Sequence, residues 1–148
     1  MGKPRHAIIA LDLEGVLIST AVSQFPRPGL YRFLEGCHGL CRVVLYTTVP
    51  PERVRPIAAR LVDEGLAPAW FRQVELVDWP RRGGKDLNAI PGAAGASVVL
   101  VDDMIENAVP GQEAQCIEVE GYTGVEHEDD ALAQVLEELT QRLVAPTN

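Results

Sequence analysis

The sequence feature that most constrains the fold is an apolar run that ends in two acids. Residues 8–11 are apolar and include two isoleucines, and Asp12, Glu14 and Gly15 follow them. Such a run, bounded by a glycine, is typical of a buried strand. In a parallel sheet both acids would lie at the carboxyl end of that strand, where open α/β sheets bind ligands, and alternation directs them to one side. Two carboxylates there suit a hard cation, a nucleophile with a proton donor, or both, although a strand that ends in solvated acids has the same pattern.

Two further apolar runs also end in polar residues. Residues 43–46 are followed by Thr47, and a later run is followed by Asp102 and Asp103. Between these runs, Lys85 comes directly after two glycines. Together the chain offers carboxylates for a metal, a hydroxyl and an ammonium for an anion, and a candidate nucleophile. This inventory fits phosphoryl transfer.

The order of the expected elements indicates an α/β protein. Strands that alternate with helices predict a mostly parallel sheet with helices on both faces, a three-layer α/β/α arrangement. The sequence shows no repeat, low-complexity tract or linker, which predicts a single domain over residues 1–148. We expect strands over residues 7–12, 42–47, 71–77, 97–101 and 116–119, and helices over 29–36, from 50 to Gly65, and over 85–90 and 127–144.

Charge and hydropathy exclude two classes of partner. The formal net charge is −8, and no run of lysines and arginines is longer than Arg81-Arg82. Because nucleic-acid binding normally requires a basic patch, we expect no nucleic-acid partner. No apolar stretch reaches the roughly 18 residues of a membrane helix, and the run at residues 8–11 is too short for a signal peptide. We therefore expect a cytoplasmic protein with no membrane partner.

The order and spacing of these residues resemble the haloacid-dehalogenase (HAD) superfamily of aspartate-nucleophile phosphatases. Residues 12–16 (Asp-Leu-Glu-Gly-Val) resemble the first family motif, Thr47 the second, Lys85 the third, and Asp102 with Asp103 the fourth. The resemblance implies a HAD-like, Rossmann-like fold.

Within that superfamily the chain resembles the NLI-interacting-factor branch, small phosphatases that act on the C-terminal domain of RNA polymerase. Two residues depart from the pattern: Glu14 stands where the first motif usually has Asp, and Asp103 stands where this branch usually has Asn. Glu14 keeps the charge but extends the carboxylate by one methylene. The matching pieces are residues 27–30 (Arg-Pro-Gly-Leu), 45–47 (Leu-Tyr-Thr), 85–87 (Lys-Asp-Leu) and 100–103 (Leu-Val-Asp-Asp).

The resemblance implies a role for each polar residue. Asp12 would attack phosphorus and form an aspartyl-phosphate. Glu14 would protonate the leaving oxygen and later take a proton from water. Thr47 and Lys85 would hold the phosphoryl oxygens. The function expected from these roles is Mg²⁺-dependent hydrolysis of a phosphomonoester.

The resemblance also implies a Mg²⁺ site. Its ligands would be Asp12, the backbone carbonyl of Glu14, and Asp102, with Asp103 as a further direct or outer ligand. Oxygen ligands in small number suit Mg²⁺, which keeps several of its waters.

Short gaps between the motifs predict that no cap domain is present. Only 34 residues separate Asp12 from Thr47, and 37 separate Thr47 from Lys85. We therefore expect an open site, which in this superfamily favours phosphoproteins or other large phosphorylated substrates, or closure by a second subunit. A monomer and a homodimer both fit.

Two other functions fit the same residues. One is a phosphoryl-accepting or phosphopeptide-binding module that turns over poorly because Glu14 is misplaced. The other is a dehalogenase or another hydrolase on this scaffold. Lys85 and the acidic pair at Asp102 and Asp103 argue against a dehalogenase, because halide displacement has no use for a metal site.

Overall fold

The computed structural model describes residues 6–125 and 128–144. Within these residues, five strands form one sheet and three α-helices pack against it. The strands are β1 (Ala7–Leu11), β2 (Arg42–Leu45), β3 (Glu75–Leu76), β4 (Ser97–Asp102) and β5 (Cys116–Glu118), and the helices are α1 (Leu30–Leu40), α2 (Pro51–Asp63) and α3 (Ala131–Leu143). Short 3₁₀ helices cover Ala69–Gln73, Leu87–Ala89, Ile105–Asn107 and Glu113–Gln115.

The sheet is parallel throughout and places β1 at its centre. The strand order is β3-β2-β1-β4-β5, and each neighbouring pair is parallel. Leu11 of β1 lies opposite Leu45 of β2 and Val101 of β4. Because neighbouring parallel strands in this register end at the same edge, the residues that follow these three come together there. The predicted parallel sheet is confirmed.

Alternation along the central strands divides the core between two faces. Ile9 and Leu11 of β1 belong to the cluster that includes the buried faces of all three α-helices. Ile8 and Ala10 face the opposite side, where Trp79 and other residues of loops and 3₁₀ helices cover the sheet. The layered α/β class is confirmed, and in the described residues the layer on this second face consists of loops and 3₁₀ helices.

The helix expected over residues 29–36 is longer in the structure. α1 continues to Leu40, because Leu30, Phe33, Leu34 and Cys37 form a buried stripe at helical spacing. A Cβ atom at Gly36 would lie 2.5 Å from a methyl carbon of Leu136. The glycine that suggested a helix end therefore allows α1 and α3 to approach closely.

The strand expected over residues 71–77 is wrong for most of its length. Ala69–Gln73 forms a 3₁₀ helix that buries Phe71 completely, and β3 is limited to Glu75–Leu76. The apolar residues of this segment anchor a turn, which a spacing argument does not distinguish from a half-buried strand.

Two further helices differ from expectation in extent. The segment expected as a helix over 85–90 forms only the 3₁₀ helix Leu87–Ala89. The last helix begins at Ala131, after the carboxylate of Asp129 accepts the N–H of Ala131 at 3.1 Å. Residues 126, 127 and 145–148 lie outside the described residues, so the start expected at 127 falls there.

The two gaps between the motifs contain no cap. Both lie within the described residues. The first holds a loop, α1 and β2, and the second holds α2, a 3₁₀ helix, β3 and a loop. The carboxyl edge of the sheet is left without a covering domain from either segment. None of the helices in the described ranges is both long and apolar enough to cross a bilayer.

The packing of α3 predicts the effect of a core truncation. Leu139 of α3 is fully buried, so Leu139→Ala should lower the free energy of unfolding by about 2–5 kcal/mol. Urea denaturation measures this change. Glu137→Ala, at an exposed position of the same helix, is the control and should change it by less than about 0.5 kcal/mol. A loss at Leu139 as small as the control would mean that α3 is not part of the core.

Candidate active site

Three aspartates meet at the carboxyl edge of the central strands. Carboxylate oxygens of Asp12, Asp102 and Asp103 lie within 4.8 Å of one another. Asp12 follows β1, and Asp102 is the last residue of the neighbouring strand β4. Asp12 and Asp102 are buried, and Asp103 is half-buried. The sheet therefore brings together acids that are 90 residues apart in the sequence.

Lys85 is buried against two of these acids. Its side chain is 2% exposed, and Nζ lies 2.7 Å from Oδ2 of Asp102 and 3.2 Å from Oδ1 of Asp12. The ammonium also lies 6.0 Å from the centre of the Tyr46 ring. Among the described residues of this cluster, three carboxylates face one ammonium, which leaves an excess of negative charge at the edge of the sheet.

The Asp102 carboxylate is held by three donors. Oδ2 accepts from Lys85, and Oδ1 accepts from the N–H of Met104 at 2.9 Å and from Nδ2 of Asn107 at 3.2 Å. Asp102 is therefore fixed in orientation, and its main partner within the protein is Lys85. The sequence did not indicate Asn107, because an amide at the end of a short 3₁₀ helix has no spacing that marks it.

Asp103 occupies space that Gly15 leaves open. Gly15 has a φ of +79°, a backbone conformation that residues with a side chain rarely adopt. A Cβ atom at this position would collide with the Asp103 carboxylate. A Cβ atom at Gly121 would also lie 3.2 Å from this carboxylate. The glycine of the first motif therefore turns the chain and lets the Asp103 side chain lie beside Asp12.

The acid cluster favours bound protons when no cation is present. The pKa of the Asp12 carboxyl is raised to about 8, because burial disfavours its charged form and Asp102 and Asp103 repel it, against the attraction of Lys85. Burial and the neighbouring Asp102 also raise the pKa of Asp103. A divalent cation would replace those protons and neutralise the same charge.

The donor set fits a hard divalent cation. The three side chains offer only oxygen ligands, they lie within reach of a single ion, and the one buried ammonium leaves negative charge uncompensated. This is the chemistry that Mg²⁺ prefers.

Glu14 is separate from the acid cluster. Its Oε2 accepts the N–H of Ala21 at 2.6 Å, so the carboxylate is bound by the loop that follows the first motif. In the structure, Asp12, Lys85, Asp102 and Asp103 come together, and the Glu14 side chain is held by this loop outside the cluster.

Thr47 lies at the end of β2, the strand next to β1, and is buried. Its Oγ1 accepts the N–H of Val49 at 3.1 Å, which leaves the hydroxyl proton available to a ligand. Its carbonyl accepts Nε1 of Trp79 at 3.0 Å, and the Trp79 ring packs edge-on against Tyr46. Thr48 is exposed. Trp79 was not identified from the sequence as a supporting residue.

Arg27 supports the turn after Asp12. This buried guanidinium donates to the carbonyl of Gly15 at 3.0 Å and to the carbonyl of Glu120 at 2.8 Å, and it pairs with Asp129 at 3.1 Å. Sequence analysis gave Arg27 no catalytic role. Its place in the Arg-Pro-Gly-Leu segment was the signal that could have identified it.

The parallel sheet and the acids and lysine at its carboxyl edge are those of a HAD-type α/β fold. A family model of NLI interacting factor-like phosphatases matches residues 6–147. The chain therefore belongs to the NLI interacting factor-like phosphatase family, and the resemblance predicted from the motifs is confirmed. No curated protein matches the chain at a significant level.

Solved structures with the same fold include RNA polymerase II CTD phosphatases. The chain is similar to fission yeast Fcp1 in a variant form bound to beryllium fluoride, with a TM-score of 0.54, 17% identity, and coverage of 94% of this chain and 50% of that one. It is also similar to a structure of Fcp1, described as an essential RNA polymerase II CTD phosphatase, with a TM-score of 0.56, 17% identity, and coverage of 93% and 48%. At this identity the likeness shows the fold, and the chain spans about half the length of these structures.

The raised pKa of Asp12 predicts how stability depends on pH without metal. Between about pH 4 and pH 8 the folded state holds a proton that the unfolded state has lost, so the free energy of unfolding should fall as pH rises, by at most about 1.4 kcal/mol per pH unit. Asp12→Asn removes the contribution of Asp12 to this dependence. In EDTA the variant should therefore gain stability relative to the unmodified chain between pH 5 and pH 8.

Urea denaturation at both pH values measures that difference. Leu139→Ala, which carries no titratable group, is the control and should keep the pH dependence of the unmodified chain. Parallel curves for Asp12→Asn and the unmodified chain would contradict a raised pKa at Asp12.

Proposed function

We propose that this chain is a Mg²⁺-dependent phosphomonoesterase that acts through an aspartyl-phosphate on Asp12. The observation that supports it most is the buried Lys85 ammonium, which lies 3.2 Å from the Asp12 carboxylate at the edge of the sheet. A phosphoryl group that approaches Asp12 there meets a positive charge next to the nucleophile. Membership of a phosphatase family supports the same reaction.

The first step is attack by an Asp12 oxygen on phosphorus, with departure of the ester oxygen on the opposite side. Leu13 N–H donates to Oδ1 of Asp12 at 2.8 Å, and Lys85 lies on the same oxygen at 3.2 Å. These contacts hold the carboxylate in one orientation, so its other oxygen is the one directed to attack. A bound divalent cation supplies charge neutralisation between this carboxylate and the phosphoryl group.

We assign the cation chiefly to Asp12 and Asp103, together with the backbone carbonyl of Glu14. Asp102 already accepts from three donors in the protein, and this favours a role in holding Lys85 and completing the charge of the site. Asp103 lies beside Asp12 in the space left by Gly15. This differs from the sequence expectation, in which Asp12, the Glu14 carbonyl and Asp102 were the ligands and Asp103 was a further direct or outer one.

Thr47 and Lys85 are suited to the phosphoryl oxygens. The Thr47 hydroxyl accepts from Val49, so its proton is free to donate to an anion. The Lys85 ammonium has donors beyond those used for Asp12 and Asp102. Both groups are buried, which strengthens their attraction for the charge that develops in the transition state.

We assign Glu14 as the general acid and base. It lies two residues after the nucleophile, and the hydrogen bond from Ala21 fixes its carboxylate. That same hydrogen bond favours the alternative function, a phosphoryl-accepting or phosphopeptide-binding module, if it holds the carboxylate away from the leaving oxygen. The experiments below separate the two.

The open edge of the sheet favours large substrates, and we propose a phosphoprotein. Neither segment that could carry a cap does so within the described residues. The structures that share the fold are named as phosphatases of the CTD of RNA polymerase II, which is a protein substrate. A phosphorylated side chain on an extended segment reaches such an edge without a lid.

Phosphate release from p-nitrophenyl phosphate tests the function. With Mg²⁺ the unmodified chain should turn over, and EDTA should abolish turnover. Asp12→Asn should lower kcat by at least about a thousandfold, because the nucleophile is lost. Glu137→Ala, at an exposed position of α3, is the control and should retain full activity.

Trapping with beryllium fluoride distinguishes the outcomes. No turnover, but Mg²⁺-dependent binding of beryllium fluoride that Asp12→Asn removes, would indicate the phosphoryl-accepting module. The absence of both turnover and beryllium fluoride binding would contradict the proposed function and would leave only the shared fold.

The assignment of the cation predicts different effects at the two adjacent acids. Asp103→Asn should raise the Mg²⁺ concentration for half-maximal activity by about tenfold while kcat changes little, because one ligand charge is lost. Asp102→Asn should lower kcat instead, since it frees Lys85 from its closest partner. Mg²⁺ titrations of activity measure both. A larger loss of Mg²⁺ affinity at Asp102 than at Asp103 would reverse the assignment.

A further inference from the structure

We propose that Gln24 and Arg60, which lie outside the acid cluster, are positioning residues for the proton transfer carried out by Glu14. They form the outer part of a chain of hydrogen bonds that ends on the Glu14 carboxylate. The inference rests on the proposed function, because it requires Glu14 to act as the general acid and base.

The loop after the first motif sets the orientation of Glu14. The Ala21 N–H donates to Oε2 of Glu14 at 2.6 Å, a hydrogen bond to a charged acceptor. Ala21 itself is buried. The direction of the Glu14 carboxylate therefore depends on where residues 20–24 lie.

Gln24 forms hydrogen bonds with two other residues of that loop. Its Nε2 donates to the carbonyl of Ala21 at 3.0 Å, on the same residue whose N–H holds Glu14. Its backbone N–H donates to the carbonyl of Thr20 at 2.8 Å. Gln24 has a φ of +57°, which is unusual for a residue with a side chain and requires support from surrounding contacts.

Arg60 provides that support from α2. Its Nε donates to Oε1 of Gln24 at 2.9 Å, and its Nη2 donates to the carbonyl of Gln24 at 2.7 Å. α2 is fixed to the core by buried Val54, Ile57 and Leu61. Arg60 therefore ties the loop to a rigid element through both the side chain and the backbone of one residue.

The tip of the loop has few other attachments. Ser19 and Phe25 close its base, where the Ser19 N–H and the Phe25 carbonyl lie 2.9 Å apart. Among the hydrogen bonds of the described residues, those that join residues 20–24 to the chain beyond residues 19–25 go to Glu14 and Arg60. Loss of the Arg60 contacts would remove the hydrogen bonds that tie the loop to α2, so the position of the Ala21 N–H, and with it the Glu14 carboxylate, would then depend on the burial of Ala21 and on the base of the loop.

This arrangement has a specific chemical consequence. The departure of a basic oxygen, such as the alkoxide of phosphoserine, depends strongly on a proton from the general acid. The departure of p-nitrophenolate depends on it far less, because that oxygen is a weak base. A displaced Glu14 should therefore slow hydrolysis of an alkyl phosphate more than hydrolysis of p-nitrophenyl phosphate.

The test compares these two substrates in the full chain with saturating Mg²⁺. Arg60→Met keeps the aliphatic stem and removes the donors, and Gln24→Asn keeps an amide that is compatible with positive φ but is too short for both contacts. Each variant should reduce kcat/KM, which reports the step that expels the leaving oxygen, about tenfold more for a phosphoserine peptide than for p-nitrophenyl phosphate. Glu14→Gln should show the same preference in stronger form.

Glu64→Gln is the matched control. It removes the Arg60–Glu64 ion pair at 2.9 Å, on the exposed side of α2, and leaves the contacts with Gln24 in place. Glu64→Gln should leave kcat/KM unchanged for both substrates. The ratio of the two rates is measured within each preparation, so a smaller folded fraction in a variant does not alter it.

Equal losses on both substrates in Arg60→Met and Gln24→Asn, with a preferential loss in Glu14→Gln, would overturn this inference alone. Turnover that survives Asp12→Asn, or no preferential loss in Glu14→Gln, would overturn the proposed function or the role of Glu14, and this inference with it.

Discussion

The contact on which the site depends is the burial of Lys85 between Asp12 and Asp102. An ammonium removed from water is costly unless carboxylates and hydrogen bonds compensate for it, and here the compensating acids come from two neighbouring strands. The parallel register of β1 and β4 supplies them at one level. The contacts that hold Asp102 and the turn at Gly15 then fix the geometry around this pair, and the excess of acid over base defines the place for a cation.

The sequence was most informative where a residue's role follows from its position on a strand. The period of two along a strand and the common edge of a parallel sheet together predict that Asp12, Thr47 and Asp102 meet. The direction of the Glu14 carboxylate was not predictable, because it depends on a hydrogen bond to Ala21 in an irregular loop. The hydrogen bond from Asn107 to Asp102 was not predictable either, because it also depends on the local conformation of a short segment.

The fold shows the same division. The central strands were predicted nearly to the residue, since they are continuous apolar runs with glycine or polar residues at their ends. The strand predicted around Phe71 was wrong, because a buried aromatic residue anchors a 3₁₀ helix as readily as a strand. The predicted helix was shorter than α1 because glycine often ends a helix. At Gly36 the absence of a side chain instead allows α3 to pack closely against α1.

The contacts of Arg27 have a consequence for how the site is assembled during synthesis. Its guanidinium holds the Gly15 carbonyl in the turn after Asp12, but its other partners are Glu120 and Asp129, about a hundred residues further along. When only the first half of the chain has left the ribosome, the motif that carries Asp12 is already present, yet this guanidinium lacks its counter-charge. The contacts that hold the turn at Gly15 are therefore complete only once the residues that lead into the last helix are present, so the earliest part of the site to be synthesised is among the last to be fixed.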